Sequence, residues 1–364
     1  MNNKLQWIEI KNYKGIENLK LENFTDINVF IGKNNTGKSS ILESIYLTSC
    51  KFNKLDYISI KPFLQILERL DYSLYYDFPL FIEGLKYKNK NPEFSSNLIE
   101  NIEIEFGYDE KDENKYVEGF IKYLYKQNIK NFIKIKIKKS GNVIQNFIIH
   151  KYYGDDDYPY IYSYLDITNF PPVIDNENCL LIDFVSIRNP DYSYRLYDKS
   201  LDIYGEEFKN KILNILKDYD IKDIEIDKEN EIIKIIFKDY SLYYPVLSDS
   251  LKSIFYSTLS LYSIKDGIIC IEEPENHLHP KSMDLYTKNI IKSVKENNNQ
   301  IFISTNSLEF LEKLLEYAKK LNINVNIYHL LKVNDKLDYV VYNRDDSLGA
   351  IKDIGLDLRE EDLI

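Results

Sequence analysis

Ile27-Asn-Val-Phe-Ile-Gly-Lys-Asn-Asn-Thr-Gly-Lys-Ser-Ser40 decides the fold. Its apolar opening, Ile27, Val29, Phe30 and Ile31, has the pattern of a buried strand. Gly32 to Ser39 then satisfies G-x-x-x-x-G-K-[ST] at every fixed position. Ser40 to Leu47 continues with apolar residues at helical spacing, at Ile41, Leu42, Ile45 and Tyr46. Strand, glycine loop and helix in that order predict a phosphate-binding loop rather than a plain turn. Gly32 and Gly37 let the backbone curl and bring its N–H groups to phosphate oxygens. The helix that starts near Lys38 aims its free N–H groups and positive dipole end at the same anion. Lys38 has the reach for the β- and γ-phosphates, and the Ser39 hydroxyl is a hard oxygen ligand suited to Mg²⁺. The expected nucleotide-contacting set is Gly32, Lys33, Asn34, Asn35, Thr36, Gly37, Lys38, Ser39 and Ser40.

The second strong signal is Ile268-Ile-Cys-Ile-Glu272-Glu273-Pro-Glu-Asn-His277-Leu-His279-Pro280. Its apolar start predicts a buried strand that delivers two carboxylates at its C-terminal end, the edge where parallel sheets bind ligands. Glu272 is placed to steady Mg²⁺, directly or through water. Glu273 is placed to orient or deprotonate an attacking water.

Composition bounds the rest. A chain of 364 residues favours two structural lobes, and 44% hydrophobic with 29% charged residues is globular. A formal net charge of −11 argues against whole-molecule attraction to nucleic acid or an anionic membrane, leaving only local basic patches. No apolar run approaches the ~20 residues that span a bilayer, and the N-terminus has no basic-then-apolar signal segment. A cytoplasmic protein is expected, with Cys50, Cys179 and Cys270 reduced, since they are odd in number and far apart.

Short strands are expected over 5–11, 16–21 and 27–31, and a helix over 62–70. Period-two alternation predicts strands at 102–106, 133–138 and 143–149, the last two closing a hairpin around Ser140-Gly-Asn142. Lys134, Lys136 and Lys138 would share one face, read as a solvated, aggregation-blocking edge rather than a polyanion stripe. A strand follows over 180–187, a helix over 205–217, strands over 221–226 and 232–237, and a helix over 252–263. Beyond the carboxylate strand come a strand at 300–304, a helix over 308–321, strands over 325–332 and 337–343, and a closing segment over 348–359. The reading is α/β. A P-loop NTPase core with a mixed sheet is formed by 1–50 and 240–364, and 51–239 forms a β-rich α+β insertion lobe.

Taken together, the G-x-x-x-x-G-K-S loop, the long insertion and the strand ending E-E-P-E-x-H-L-H-P resemble ABC-type ATPases of the OLD (overcoming lysogenization defect) group and its AAA-domain relatives. That group is related to the RecF and SMC ATPases. Lys11-Asn-Tyr-Lys-Gly-Ile16 resembles the group's N-terminal N-F-R/K-G-I segment, and Asn34-Asn35 is typical of its loop. The resemblance implies Mg-ATP as ligand and a homodimer that closes head to tail on ATP. It implies Lys14 near the nucleotide and Ser248, in Val246-Leu-Ser-Asp-Ser-Leu251, in the signature motif that caps the partner's γ-phosphate. Read from the residues alone, Ser248 is a helix N-cap. Ser248 and Ser250 stand where the group usually has glycine. Asn306, in Gln300-Ile-Phe-Ile-Ser-Thr-Asn-Ser307, stands where it has a histidine that senses γ-phosphate. An amide donates a hydrogen bond but carries no charge and shuttles no proton, so slow hydrolysis is expected. Asn306 as a cap of the following helix is the other reading. His277 and His279 fit the group's D-loop region better than a metal cluster, because E-x-H-x-H lacks the helical H-E-x-x-H geometry. By position, Gln65 is the candidate for the Q-loop. The Toprim nuclease domain of OLD nucleases has no counterpart motif here, so any nuclease is expected on a separate protein. The expected role is a slow ATPase that controls an effector protein or DNA; the alternative is a nucleotide-gated scaffold with little turnover.

Overall fold

The structure is a computed structural model. It describes residues 4–50, 56–58, 65–66, 90, 92–96, 101–107, 132–139, 142–153, 159–166 and 178–358, the last without 277, 334–335 and 356. Of the strands between 101 and 166 only the backbone is described. The expected helix over 62–70 lies outside the described residues except for Gln65 and Ile66.

Alternation shapes the N-terminus. β1 (Trp7–Tyr13) and β2 (Ile16–Glu22) form an antiparallel hairpin that buries Ile8, Ile10, Tyr13, Leu19 and Leu21. β3 (Ile27–Ile31) is buried at every residue, as a strand covered on both faces must be. It feeds α1 (Lys38–Ser49). β4 (Glu93–Ser96), β5 (Asn101–Gly107), β6 (Phe132–Lys139), β7 (Asn142–Tyr153) and β8 (Pro159–Asp166) continue the first hairpin into a seven-stranded antiparallel sheet, order β2-β1-β4-β5-β6-β7-β8. β6 and β7 pair antiparallel as the alternation predicts, with Lys139 opposite Asn142. The β5–β6 register sets Lys134 opposite Glu105 and Lys136 opposite Glu103.

β9 (Cys179–Ile182) is shorter than the apolar run suggested. Asp183 ends it, because its carboxylate accepts from Ser186 N–H while the Ser186 hydroxyl accepts from Asp183 N–H. This capping box starts α2 (Phe184–Arg188). Asn189 as N-cap and Pro190 at the first position then start α3 (Pro190–Ile215) well before the expected helix, and it bends where Gly205 takes φ 65°. β10 (Ile221–Asp227), β11 (Ile232–Phe237) and β12 (Ser241–Tyr243) make a small antiparallel sheet.

The chain then completes the central sheet. α4 (Asp249–Ser263), β13 (Ile268–Glu272), α5 (Pro280–Asn297), β14 (Gln300–Ser304), α6 (Leu308–Leu321), β15 (Val325–Val333), β16 (Lys336–Asn343) and α7 (Arg344–Ile354) follow in turn. Six strands order as β16-β15-β3-β14-β13-β9, parallel except for β16. Phe30, Leu181, Cys270, Phe302 and Tyr328 face α1 and the β1–β2 hairpin. Val29, Ile182, Ile271, Ile303 and Ile327 face the helices on the other side. The site therefore sits on a sheet held rigid from both faces.

The cysteines correct the expectation of three free thiols. Cys50, at the end of α1, is bonded to Cys179 at the start of β9, with Cα atoms 6.2 Å apart and a sequence separation of 129. Only the folded sheet brings them together, so their spacing could not announce the pair. Cys270 remains a free thiol, buried, with its pKa pushed up by that burial. Among the described residues no helix is long and apolar enough to cross a membrane.

Candidate functional site

The loop after β3 is shaped by its glycines. Gly32 has φ +142°, and a Cβ there would lie 2.6 Å from the Leu330 carbonyl oxygen on β15. Only glycine lets β15 approach so closely. Gly37 caps α1 with φ 86°. The Thr36 hydroxyl donates to the Lys33 carbonyl at 2.8 Å. Lys38 is buried and folds back across the loop, its Nζ donating to the carbonyls of Gly32 at 2.8 Å and Lys33 at 2.9 Å. Burial lowers its pKa from the ordinary value, while Glu273 and Glu275 pull it back up. Asn34, Asn35 and Ser39 are exposed. Asn34 to Ser40 line a cleft of about 740 Å³ together with Gly15, Glu273, Lys332 and Leu337.

The opposite wall comes from the ends of β13 and β14. Glu273 has φ 43°, an uncommon conformation for a side-chain-bearing residue. Its N–H donates to the Ser304 carbonyl at 2.9 Å. One carboxylate oxygen accepts from Asn306 Nδ2 at 2.8 Å and the other from Asn276 Nδ2 at 2.7 Å. Asn306 N–H donates to Glu275 at 2.8 Å. Burial raises the pKa of Glu275, against hydrogen bonds that lower it. Asn306 does not cap α6; Ser307 does, accepting from Phe310 N–H. Thus Lys38, Ser39 and Glu273 border one cleft, and Asn306 orients the carboxylate.

Other expected residues lie elsewhere. Lys14 pairs with Glu43 at 2.5 Å, and Tyr13 OH donates to the same carboxylate oxygen at 2.8 Å. Lys14 does not line the cleft; Gly15 does. Glu272 borders a neighbouring cavity of about 80 Å³ with Arg188 and Asp249, which Glu273 also borders. Ser248 is exposed and caps α4, accepting from Leu251 N–H, and lies outside the cleft of its own chain. His279 caps α5, and His277 lies outside the described residues. Gln65 is buried in the core, accepting from Tyr46 OH and donating to the Leu181 carbonyl, and is not part of the cleft. Among the described residues no group of three or more His, Cys, Asp or Glu is placed to hold a metal. Mg²⁺ needs no such cage. It typically takes a hydroxyl or carboxylate, phosphate oxygens and waters, and Ser39 with the carboxylates at the end of β13 is a donor set of that kind.

Sequence reading missed Asn276, Lys332 and Leu337. Asn276 stood inside the quoted motif without a role. Lys332 and Leu337 belong to a hairpin whose alternation gives no hint of a ligand.

Residues 183–312 match the family described as "AAA domain, putative AbiEii toxin, Type IV TA system", and residues 3–65 match a "Protein of unknown function (DUF2813)" family. An "ATP/GTP phosphatase" of Helicobacter pylori is 28% identical over 85% of this chain and 87% of its own length. "Endonuclease GajA" of Bacillus cereus is 21% identical over all of this chain, which spans 63% of that protein. A solved SMC head, bound there to the C-terminal winged-helix domain of ScpA, superposes with a TM-score of 0.51 at 12% identity, over 94% of this chain and 99% of its own. By these matches the chain is similar to ABC-type P-loop ATPases of the OLD and RecF kind, and its fold is that of an SMC head.

Proposed function

We propose that the chain binds Mg-ATP in the cleft between the glycine loop and Glu273 and hydrolyses it slowly, closing as a head-to-tail dimer that controls an effector protein or DNA. The observation that carries this reading is Glu273 bordering the same cleft as Lys38 and Ser39, with its carboxylate gripped by Asn306 and Asn276. On nucleotide binding Lys38 exchanges two carbonyls for phosphate oxygens. Ser39 would hold the metal together with Glu272 at the end of β13, and the metal would supply charge neutralisation at the phosphates. Glu273 takes a proton from the attacking water. Ser248 stands away from its own cleft, as a residue serving the partner's nucleotide must. The class of the relatives, one named an ATP/GTP phosphatase and one an endonuclease, supports nucleotide turnover linked to a larger task.

Phosphate release by the purified protein, beside Lys38→Ala and Glu273→Gln, each with and without duplex DNA, tests this. Turnover lost in both variants is the expected result, with DNA stimulation if DNA is the effector. ATP bound through Lys38 but not turned over leaves the second reading, a nucleotide-gated scaffold. One feature favours that reading: both Glu273 oxygens already accept amide hydrogens, so an attacking water must compete with Asn306 and Asn276 for them.

A further inference from the structure

The strand order gives the cleft a direction. β14 and β13 lie on one side of β3 and carry Asn306 and Glu273; β15 and β16 lie on the other and carry Lys332 and Leu337. A nucleoside triphosphate on the loop with its terminal phosphate at Glu273 must extend its α-phosphate, sugar and base toward the β15–β16 hairpin. That end of the cleft is built for such a group. Leu337 is half-buried, and its Cδ2 would lie 3.4 Å from a Cβ on Gly37, so it leans over the start of α1. Facing it, the tight turn between β1 and β2 brings Gly15 to the lining, and a Cβ on Gly15 would meet nothing within 4 Å. A ring entering this end of the cleft meets an apolar side chain at Leu337 and bare backbone at Gly15. Lys332 lines the same end, exposed, with no ion pair to another described residue, whereas Lys14 is held by Glu43.

We infer that the β15–β16 hairpin forms the nucleoside end of the site, with Leu337 packing on the base and Lys332 neutralising the α-phosphate in place of Lys14. The inference rests on the nucleotide reading above and adds the residues that recognise the rest of the ligand. None of these groups offers hydrogen bonds matched to one base edge, so ATP and GTP bind alike.

Calorimetric titration of the full chain with Mg-ATP and with Mg-tripolyphosphate, which has no nucleoside, tests it. Leu337→Ala is expected to weaken ATP about tenfold, as removal of a buried apolar contact does, and to leave tripolyphosphate unchanged. Lys332→Ala, at an exposed position that cannot unfold the protein, is expected to weaken both ligands about fivefold. Unchanged ATP affinity in both variants would overturn the inference. So would an equal loss of ATP and tripolyphosphate in Leu337→Ala, which would make Leu337 only a prop for Gly37. Undiminished ATP binding by Lys38→Ala would instead overturn the underlying nucleotide reading.

Discussion

The two walls of the cleft are held by different means. The glycine loop holds itself: Lys38 and Thr36 both donate to carbonyls no more than six residues away. The carboxylate wall is held by side chains from separate strands, with Asn306 reaching Glu273 across 33 residues of sequence. The loop is therefore a preformed anion receptor whose shape depends on local chemistry. The carboxylate wall is an assembly, and its geometry changes with any partner residue. Binding should follow the first wall and turnover the second.

The sharpest way to break this division is Glu273→Gln. Removing a general base from an otherwise intact site is expected to slow phosphate release by about 10²–10⁴-fold while ATP affinity stays within about twofold. Parallel loss of affinity would show that the walls are not separable. Lys38→Ala should do the reverse, weakening ATP about a hundredfold by removal of a charge-assisted phosphate contact, read by equilibrium titration.

Asn306→Ala probes how strongly the assembled wall depends on its second strand. It deletes one of the two amide donors to Glu273. A hydrogen bond to a charged group contributes about 1.5 kcal/mol, so turnover should fall roughly tenfold with ATP affinity unchanged. A wall held equally well by Asn276 alone would leave turnover intact.

The difference between the walls also explains what was legible. Gly32 to Ser39 announce their shape because glycine loop, lysine and helix start are contiguous, and the strand and helix on either side form as the periodicity predicts. The carboxylate strand was legible for the same reason. Asn306 was ambiguous, because an amide before a helix reads equally as a cap; only the fold shows that Ser307 takes the cap and frees Asn306 for Glu273. Lys14 was assigned from resemblance alone, and nothing near it in sequence revealed Glu43, which lies on a different element and binds it. The Cys50–Cys179 pair and the contribution of β15 and β16 to the cleft are products of strand order, which no local pattern encodes. The apolar run at 180–187 misled for a local reason: burial on a strand and burial at a helix start look alike until the Asp183–Ser186 capping box is recognised.

Glu275 offers the smallest effect and the finest test of the assembled wall. It accepts from Asn306 N–H, yet burial raises its pKa above the ordinary 4.5. The folded protein therefore holds this proton more tightly than the unfolded chain does. The group's contribution to stability is fully present below pH 4.5 and is lost as pH rises through the raised folded value. Glu275→Gln keeps an oxygen for Asn306 and has no proton to lose. Its urea midpoint should match the parent's below the window and exceed it above, by an increment smaller than the other effects. A variant that is less stable than the parent above the window would show that the ionised carboxylate is what fastens Asn306. In that case the two walls would be linked by charge as well as by hydrogen bonds, since Glu275 also acts electrostatically on Lys38.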